Sequence, residues 1–253
     1  MVDERIAARR AALRAEARRR RLRRSFVIMA FIVVVVAMLS IDRAGGFDIV
    51  AIEVVGTDRL DSDRVRAVAE VETGASIVWL RTGTVEYRVA SLPLVRTAEV
   101  TRTMRRTVEV RVTERVPVVQ VRGRGDDVVV DRDGVIIDVV GADDAALPVI
   151  DVRGTVPASG DTVDAHRGVA NAFDVWRGLS GPLRAEVLAV RVDGPEDATA
   201  VLRRGIDVRI GRADRMPEKV RAIGAVLADI GEVPVAQIDV RAPAAPVVIP
   251  TGE

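Results

Sequence analysis

Residues 26–41, FVIMAFIVVVVAMLSI, form an uncharged stretch directly after a strongly basic segment. A helix over residues 25–41 would rise about 25 Å at 1.5 Å per residue, slightly less than the ~30 Å hydrocarbon core of a bilayer. Arginine side chains at both ends can close this gap by extending toward the lipid headgroups. We therefore predict a transmembrane helix over residues 25–43. Its apolar surface includes Phe26, Ile28, Phe31, Ile32, Val36, Leu39 and Ile41.

Charge is distributed unevenly on the two sides of this helix. Residues 1–24 hold ten arginines and three acidic residues, a net charge of +7, whereas residues 25–253 hold 28 basic and 34 acidic residues, a net charge of −6. Because basic flanks stay in the cytoplasm, we expect residues 44–253 to be extracytoplasmic. Beside a membrane span, attraction to anionic lipid explains the arginines more simply than binding of nucleic acid does, and a role in docking a protein partner stays open.

A cleaved secretion signal is the alternative interpretation of this region. Signal peptides have apolar regions of about 7–15 residues and a small-residue cleavage site. The present run is longer, and residues 40–43, Ser-Ile-Asp-Arg, provide no such site. We therefore favour an uncleaved anchor that crosses the cell membrane once.

A strand–helix–helix–strand–strand pattern follows the anchor. Val108, Val110 and Val112 alternate with polar residues, which is typical of a strand with one buried face. Asp61 is a suitable N-cap for the first helix, and we expect Gly74 to mark the end of that helix. The strands are predicted at residues 49–55, 97–104 and 107–114, and the second helix ends before Pro93.

From residue 116 onward the pattern becomes rich in β-strands. Asp133-Gly134 between two apolar runs is a strong hairpin signal. Two amphipathic helices are predicted over residues 164–179 and 214–230. The three prolines near the end of the chain restrict residues 247–249 to an edge strand. The other strands are predicted at residues 128–131, 135–139, 187–192, 199–202, 206–210 and 235–241.

These patterns together predict an α+β protein with a single N-terminal transmembrane helix. A three-stranded sheet packed against two helices can fold as a small domain, because the helices bury one apolar face of the sheet. The segments are a cytoplasmic arginine-rich tail (1–24), the transmembrane helix (25–43), a β-α-α-β-β domain (44–116), a mixed β-rich domain with two helices (117–241) and a proline-rich C-terminal tail (242–253).

The sequence offers little of the chemistry that an enzyme needs. It has no cysteine, and its one histidine, His166, is more typical of a surface residue than of a base or a ligand. The DRDG motif at residues 131–134 lacks the further ligands of a calcium loop. We interpret residues 122–126 as a loop between domains and the paired acids at 143–144 as solvated turn residues. We predict no catalytic, cofactor-binding or metal-binding residue and no small-molecule substrate.

Six short motifs follow one another along the chain. They are IEVVGTDRL at residues 52–60, LPLVRTAEVTR at 92–102, VEVRVTERVPV at 108–118, VDRDGV at 130–135, LPVI at 147–150 and IDVR at 238–241. In this order they resemble the FtsQ/DivIB family of bacterial cell-division proteins in its actinobacterial form, and the resemblance extends over residues 5–249. Arg105-Arg106 stand where the family usually has Trp-Pro. The motif residues of the implied POTRA domain are Gly56, Leu60, Pro93, Val95, Val100, Arg102, Glu114 and Arg115.

The resemblance implies a non-enzymatic role in assembling the division machinery at the septum. Family members link septal-ring proteins and hold the small coiled-coil partners FtsB and FtsL. Exposed strand edges recruit such partners by strand addition. Asp239 and Arg241 would face solvent or a partner, or would instead blunt a free sheet edge. The candidate partner-binding residues are Ile238, Asp239, Val240, Arg241, Val247, Val248 and Ile249.

Two other functions stay open on the sequence alone. A membrane-tethered cell-wall enzyme would need a nucleophile and a base, which the chain does not visibly provide. A POTRA-type transport component would serve a translocating barrel, and the sequence has no barrel-length series of strands. Both would be distinguished from a division protein by where the protein lies in the cell.

Overall fold

The computed structural model describes residues 2–138, 144, 146–231 and 233–251, with side chains from Arg23 onward. Met1 of the predicted tail, Val139 of a predicted strand, Asp143 of the paired acids and the last two residues lie outside the described residues.

The first element is one long helix, α1 (Val2–Arg43), which joins the basic segment to the apolar one without a break. Its segment Arg23–Arg43 has 21 residues and a mean hydropathy of 2.6, which is long and apolar enough to cross a membrane. At 1.5 Å per residue this segment is about 30 Å long. The apolar side chains of this segment are exposed, as expected for a surface that meets lipid rather than protein. The predicted apolar helix is therefore confirmed.

The next five elements form the predicted β-α-α-β-β domain, here called the POTRA-like domain. Their bounds are β1 (Ala51–Val55), α2 (Ser62–Ala69), α3 (Thr82–Ala90), β2 (Val95–Arg102) and β3 (Thr107–Glu114). Strand β3 lies in the centre of its sheet, parallel to β1 and antiparallel to β2. The alternating valines of β3 are buried under both helices, and the polar residues between them face away.

The two ends of α2 show one prediction confirmed and one wrong. Asp61 is the N-cap, and its carboxylate accepts a hydrogen bond of 2.9 Å from the Asp63 amide. The helix ends at Ala69, not near Gly74, because Glu70 takes the left-handed conformation with φ of 48°. A glycine is the usual residue for that conformation, so a glutamate at this position does not predict the earlier end of the helix.

The second domain contains a nine-stranded mixed sheet. The bounds of its elements are β4 (Pro117–Arg124), β5 (Val128–Asp131), β6 (Ile136–Asp138), β7 (Val149–Thr155), α4 (Arg167–Gly178), α5 (Gly181–Glu186), β8 (Val187–Gly194), β9 (Asp197–Leu202), β10 (Asp207–Gly211), α6 (Met216–Asp229), β11 (Val235–Asp239) and β12 (Val247–Pro250). The strand order is β12-β11-β10-β9-β8-β7-β4-β5-β6, and three helices pack in one apolar cluster with the strands. The two predicted helices are present, and the short α5 adds a third.

The interpretation of residues 122–126 as a loop between domains is wrong. Residues 122–124 belong to β4, which pairs with β5 on one side and β7 on the other. Gly123 is needed there because a Cβ atom would lie 2.8 Å from the Gly154 carbonyl oxygen and 2.6 Å from a Val152 methyl group. This glycine therefore allows close approach of a neighbouring strand and does not mark a turn.

The joint between the two domains is made by the residues around the end of β3. The Glu114 carboxylate accepts hydrogen bonds from three successive backbone amides, Asp58, Arg59 and Leu60, at 2.8–3.1 Å. Arg115 then donates to the buried Asp131 carboxylate at 2.8 Å. The last residues of the first domain are thus tied both to their own domain and to the next.

Further contacts across the joint are apolar and ionic. Leu94, Val129 and Ile137 form a small buried cluster between the domains. Arg59 lies 2.5 Å from the Asp144 carboxylate. Asp144 is buried and ion-paired, so the interpretation of this residue as a solvated turn acid is wrong.

Candidate partner-binding site

The two ends of the nine-stranded sheet differ in how their edges are covered. At one end, residues 160–163 lie along β6 and its turn: the Ile136 amide donates to the Asp161 carbonyl oxygen, and the Gly160 amide donates to the Ile136 carbonyl oxygen, both at 2.9 Å. At the other end, β12 pairs with β11 alone. Within the described residues no segment bonds to the outer side of β12, so this edge is open.

Strand β12 presents large apolar side chains at this open edge. Val247, Val248 and Ile249 are 56%, 38% and 46% exposed. Val248 lies opposite the buried Ile238 and therefore points to the core side of the sheet, whereas Val247 and Ile249 point to the other side. The sequence-based prediction of an edge strand at residues 247–249 is confirmed, and Pro250 extends it by one residue.

The end of the neighbouring strand β11 and the two residues after it carry the predicted alternation of apolar and charged residues. The strand predicted over residues 235–241 itself ends at Asp239. Ile238 and Val240 are fully buried. On the opposite face, Arg241 donates to both carboxylate oxygens of Asp239 at 2.6–3.1 Å. Strand β12 pairs with β11, so Asp239 lies on an interior strand and not on the free edge of the sheet.

The ion pair changes the titration of both partners. The hydrogen bonds from Arg241 hold the pKa of Asp239 below its ordinary value. In turn, the same hydrogen bonds raise the pKa of Arg241. Both groups therefore stay charged at neutral pH, and their opposite charges compensate each other beside the open edge.

A buried lysine supports this end of the sheet. The Lys219 ammonium group donates to the carbonyl oxygens of Ile210 and Arg212 and to the Asp214 carboxylate, at 2.7–3.0 Å. It thereby fixes the turn between β10 and α6, the helix that leads to β11. Its hydrogen bond lowers the pKa of Asp214. The sequence did contain a signal for this role, since Lys219 lies three residues after Met216 on the apolar face of α6.

Comparison with known proteins identifies the family. The family model described as POTRA domain, FtsQ-type matches residues 47–115, and the model described as Cell division protein FtsQ/DivIB, C-terminal matches residues 117–241. The cell division protein FtsQ of Streptomyces collinus is 32% identical over 201 residues, 77% of this chain and 75% of that protein.

The chain belongs to the FtsQ/DivIB family of cell-division proteins.

Other relatives agree with this assignment. The FtsQ protein of Streptomyces bingchenggensis is 30% identical over 198 residues, 78% of this chain and 74% of the relative. The FtsQ protein of Corynebacterium glutamicum is 24% identical over 206 residues, 81% of this chain and 88% of the relative. The resemblance to this family, in its actinobacterial form, is therefore confirmed, as is the fold of an apolar helix, a POTRA domain and a mixed β-rich domain.

Most motif residues of the POTRA domain build the domain itself. Val95 and Val100 are buried in its core, and Pro93 follows α3. Gly56 has φ of 84°, and any Cβ atom there would collide with the Val112 carbonyl oxygen. Arg102 donates a hydrogen bond to the Leu80 carbonyl oxygen. The other three, Leu60, Glu114 and Arg115, lie at the joint between the domains.

The histidine and the acidic turn residues lie apart from the open edge. The imidazole of His166 lies 3.5 Å from the Asp161 carboxylate, near the covered end of the sheet. In the part of the chain with described side chains, no group of three or more His, Asp or Glu residues could hold a metal ion. The DRDG motif forms the predicted hairpin turn, in which Asp131 accepts hydrogen bonds from the Asp133 and Val135 amides at 2.9 Å.

Proposed function

We propose that this protein is a single-pass membrane scaffold of the division machinery that captures FtsB/FtsL-like partners at the open edge of β12. The arginine-rich segment lies in the cytoplasm, both domains lie outside, and the protein is concentrated at the septum. By holding these partners together with septal-ring proteins, the scaffold coordinates synthesis of the septal wall. The observation that carries the proposal is the contrast between the covered β6 edge and the open β12 edge.

Strand addition is the mode of capture that this edge favours. An open edge strand presents unpaired backbone N–H and C=O groups, which a second strand satisfies by continuing the ladder. The exposed side chains add specificity on both faces, with Val248 on one side and Val247 and Ile249 on the other. A partner strand with apolar side chains on both of its faces would bury all three.

The surroundings of β12 are those of a docking edge that does not cause aggregation while its partner is absent. The strand has only four residues and ends at Pro250, and both features limit uncontrolled pairing with other edges. The Asp239–Arg241 pair places two compensating charges beside Val247, the residue opposite Asp239. A polar rim around an apolar centre is typical of protein interfaces.

A double variant, Val247→Asp with Ile249→Asp, tests the proposal. The full-length variant would be placed in lipid nanodiscs, and its affinity for a purified FtsB-like partner would be measured by titration. We expect affinity to fall by at least about 30-fold, because each carboxylate would lose its water against an apolar partner surface. Leu188→Asp is the matched control, since Leu188 is 45% exposed on the interior strand β8.

The control variant should capture the partner normally. Hydrogen exchange of the core strands would show that both variants remain folded. Unchanged affinity of the folded double variant would contradict capture at β12.

A further inference from the structure

The POTRA-like domain is attached to the end of α1 by several direct contacts. The Asp42 carboxylate accepts hydrogen bonds from the Ser76 hydroxyl at 2.5 Å and from the Trp79 indole N–H at 3.1 Å. The Ile77 amide donates to the Phe47 carbonyl oxygen at 2.8 Å. The segment around Trp79 is therefore fixed beside the last turn of the apolar helix.

The two glycines after the helix form a tight turn and not an open hinge. Arg106 donates to the Gly45 carbonyl oxygen at 2.9 Å, and its own carbonyl oxygen accepts from the Val50 amide at 2.9 Å. At Gly46, a Cβ atom would lie 2.5 Å from a methyl group of Ile41. These contacts bring the turn between β2 and β3 to the same end of the domain as Trp79.

An apolar groove of about 170 Å³ separates the Trp79 segment from α1. Val35 lies seven residues before Asp42, so one wall of the groove reaches about 10 Å toward the middle of the apolar helix at 1.5 Å per residue. The groove is open to the medium around α1 at that depth. If α1 spans a membrane, this medium is the hydrocarbon of the lipid acyl chains. The lining residues are Val35, Met38, Leu39, Asp42, Phe47, Val78 and Trp79.

The side chains at this end of the domain suit the boundary between hydrocarbon and water. Trp79 is 68% exposed, and Met104, in the turn between β2 and β3, is fully exposed. Exposed arginines accompany both, with Arg43 at the end of α1 and Arg105 beside Met104. Tryptophan is enriched at membrane interfaces, and arginine is attracted to anionic headgroups.

We propose that Trp79, Met104, Arg43 and Arg105 form a membrane-facing surface, which lies in the headgroup region of the outer leaflet while a phospholipid acyl chain fills the groove. This inference rests on insertion of α1 into the membrane and is independent of partner capture at β12. Its consequence is that the POTRA-like domain has a fixed orientation on the bilayer, so that the second domain extends away from the membrane.

Tryptophan fluorescence of the full-length chain in vesicles of phosphatidylcholine and phosphatidylglycerol tests this arrangement. The chain has two tryptophans, and Trp176 is buried. Subtracting the spectrum of the Trp79→Phe variant isolates the Trp79 signal without a change in the core. We expect this signal to be blue-shifted, to be quenched strongly by lipids brominated near the headgroup and to be little affected by aqueous iodide.

Two matched variants in the Trp79→Phe background calibrate the result. Phe31→Trp places an indole in the middle of the apolar helix and should be quenched by lipids brominated near the chain end, which reports insertion itself. Val233→Trp places one on an exposed loop of the second domain and should be quenched by iodide alone.

Three outcomes would overturn the proposal. In the first, iodide quenches Trp79 and brominated lipid does not, although the Phe31→Trp indole is quenched by lipid and so shows that α1 is inserted. Protection of Trp79 from both quenchers would assign the groove to a protein partner or a second copy. Absence of lipid quenching for Phe31→Trp would remove the membrane insertion on which the proposal rests.

Discussion

Lys219 shows how one residue supports the end of the sheet that carries the proposed site. Its ammonium group is buried and has three oxygen acceptors, two of them backbone carbonyls. Lys219→Met keeps the length and apolar stem of the side chain but leaves those acceptors without their donor. We expect the free energy of unfolding to fall by about 2–4 kcal/mol.

Chemical denaturation of the full-length chain would measure this loss. The matched control is Arg221→Met, which removes an exposed cation from the same helix and should change stability by less than about 0.5 kcal/mol. Equal stability of the two variants would show that the buried ammonium group is not needed to fix the turn before α6.

The lowered pKa values of Asp214 and Asp239 predict a loss of stability in acid. Hydrogen bonds from Lys219 and Arg241 favour the ionised carboxylates in the folded state. Their contribution is therefore fully present above the unfolded pKa of about 3.9 and is lost as the pH falls through the lower folded values. We expect the thermal midpoint to change little between pH 7 and 5 and to fall below about pH 4.

The Asp239→Asn variant measures how much of this loss of stability in acid comes from Asp239. It keeps the shape of the side chain but removes the titrating group, so its midpoint should depend less steeply on pH below 4. An unchanged acid profile would assign the loss to other carboxylates.

At the scale of elements, β12 has two roles that truncation cannot separate. It carries the open edge, and it also covers the edge of β11, whose Val235 and Ile238 are buried. We expect removal of residues 243–253 to expose a new apolar edge and to promote self-association. Light scattering of the truncated chain would measure this, and a monodisperse product with normal stability would contradict it.

Elements defined by local pattern could be predicted, and those defined by distant contacts could not. Strand β3 has the bounds that its alternating valines predict. Strand β4 contains Gly123, whose role depends on Val152 and Gly154 in β7, so its sequence resembled a loop. The prolines around β12 predicted an edge strand, but the cover of the opposite edge by residues 160–163 depends on pairings that the sequence does not reveal.

The joint between the domains shows the same limit. The Arg59–Asp144 pair joins residues far apart along the chain, and an arginine and an aspartate in two turns carry no sign of their partnership. The hydrogen bonds from three backbone amides to the Glu114 carboxylate could not be predicted from the sequence either, although Glu114 belongs to one of the family motifs. Long-range polar contacts therefore had to be observed in the structure.

At the scale of the whole molecule, the proposed function makes a prediction about position in the cell. The chain joins a helix that is long and apolar enough to span a membrane to domains with an open sheet edge, and under the proposed function the division machinery should hold it where the septum forms. We expect an N-terminal fluorescent fusion to form a band at the division site, and depletion of the protein to block septation. Uniform membrane fluorescence together with normal division would contradict this role.

Hydrogen exchange with and without a bound FtsB-like partner tests the central claim most directly. Strand addition satisfies the backbone amides of β12 that do not bond to β11, so exchange among residues 247–249 should slow by at least about tenfold on binding. The Ile136 amide of β6, which already donates to the Asp161 carbonyl oxygen, provides an internal control and should not change. Full partner binding with unchanged exchange in β12 would contradict capture by strand addition.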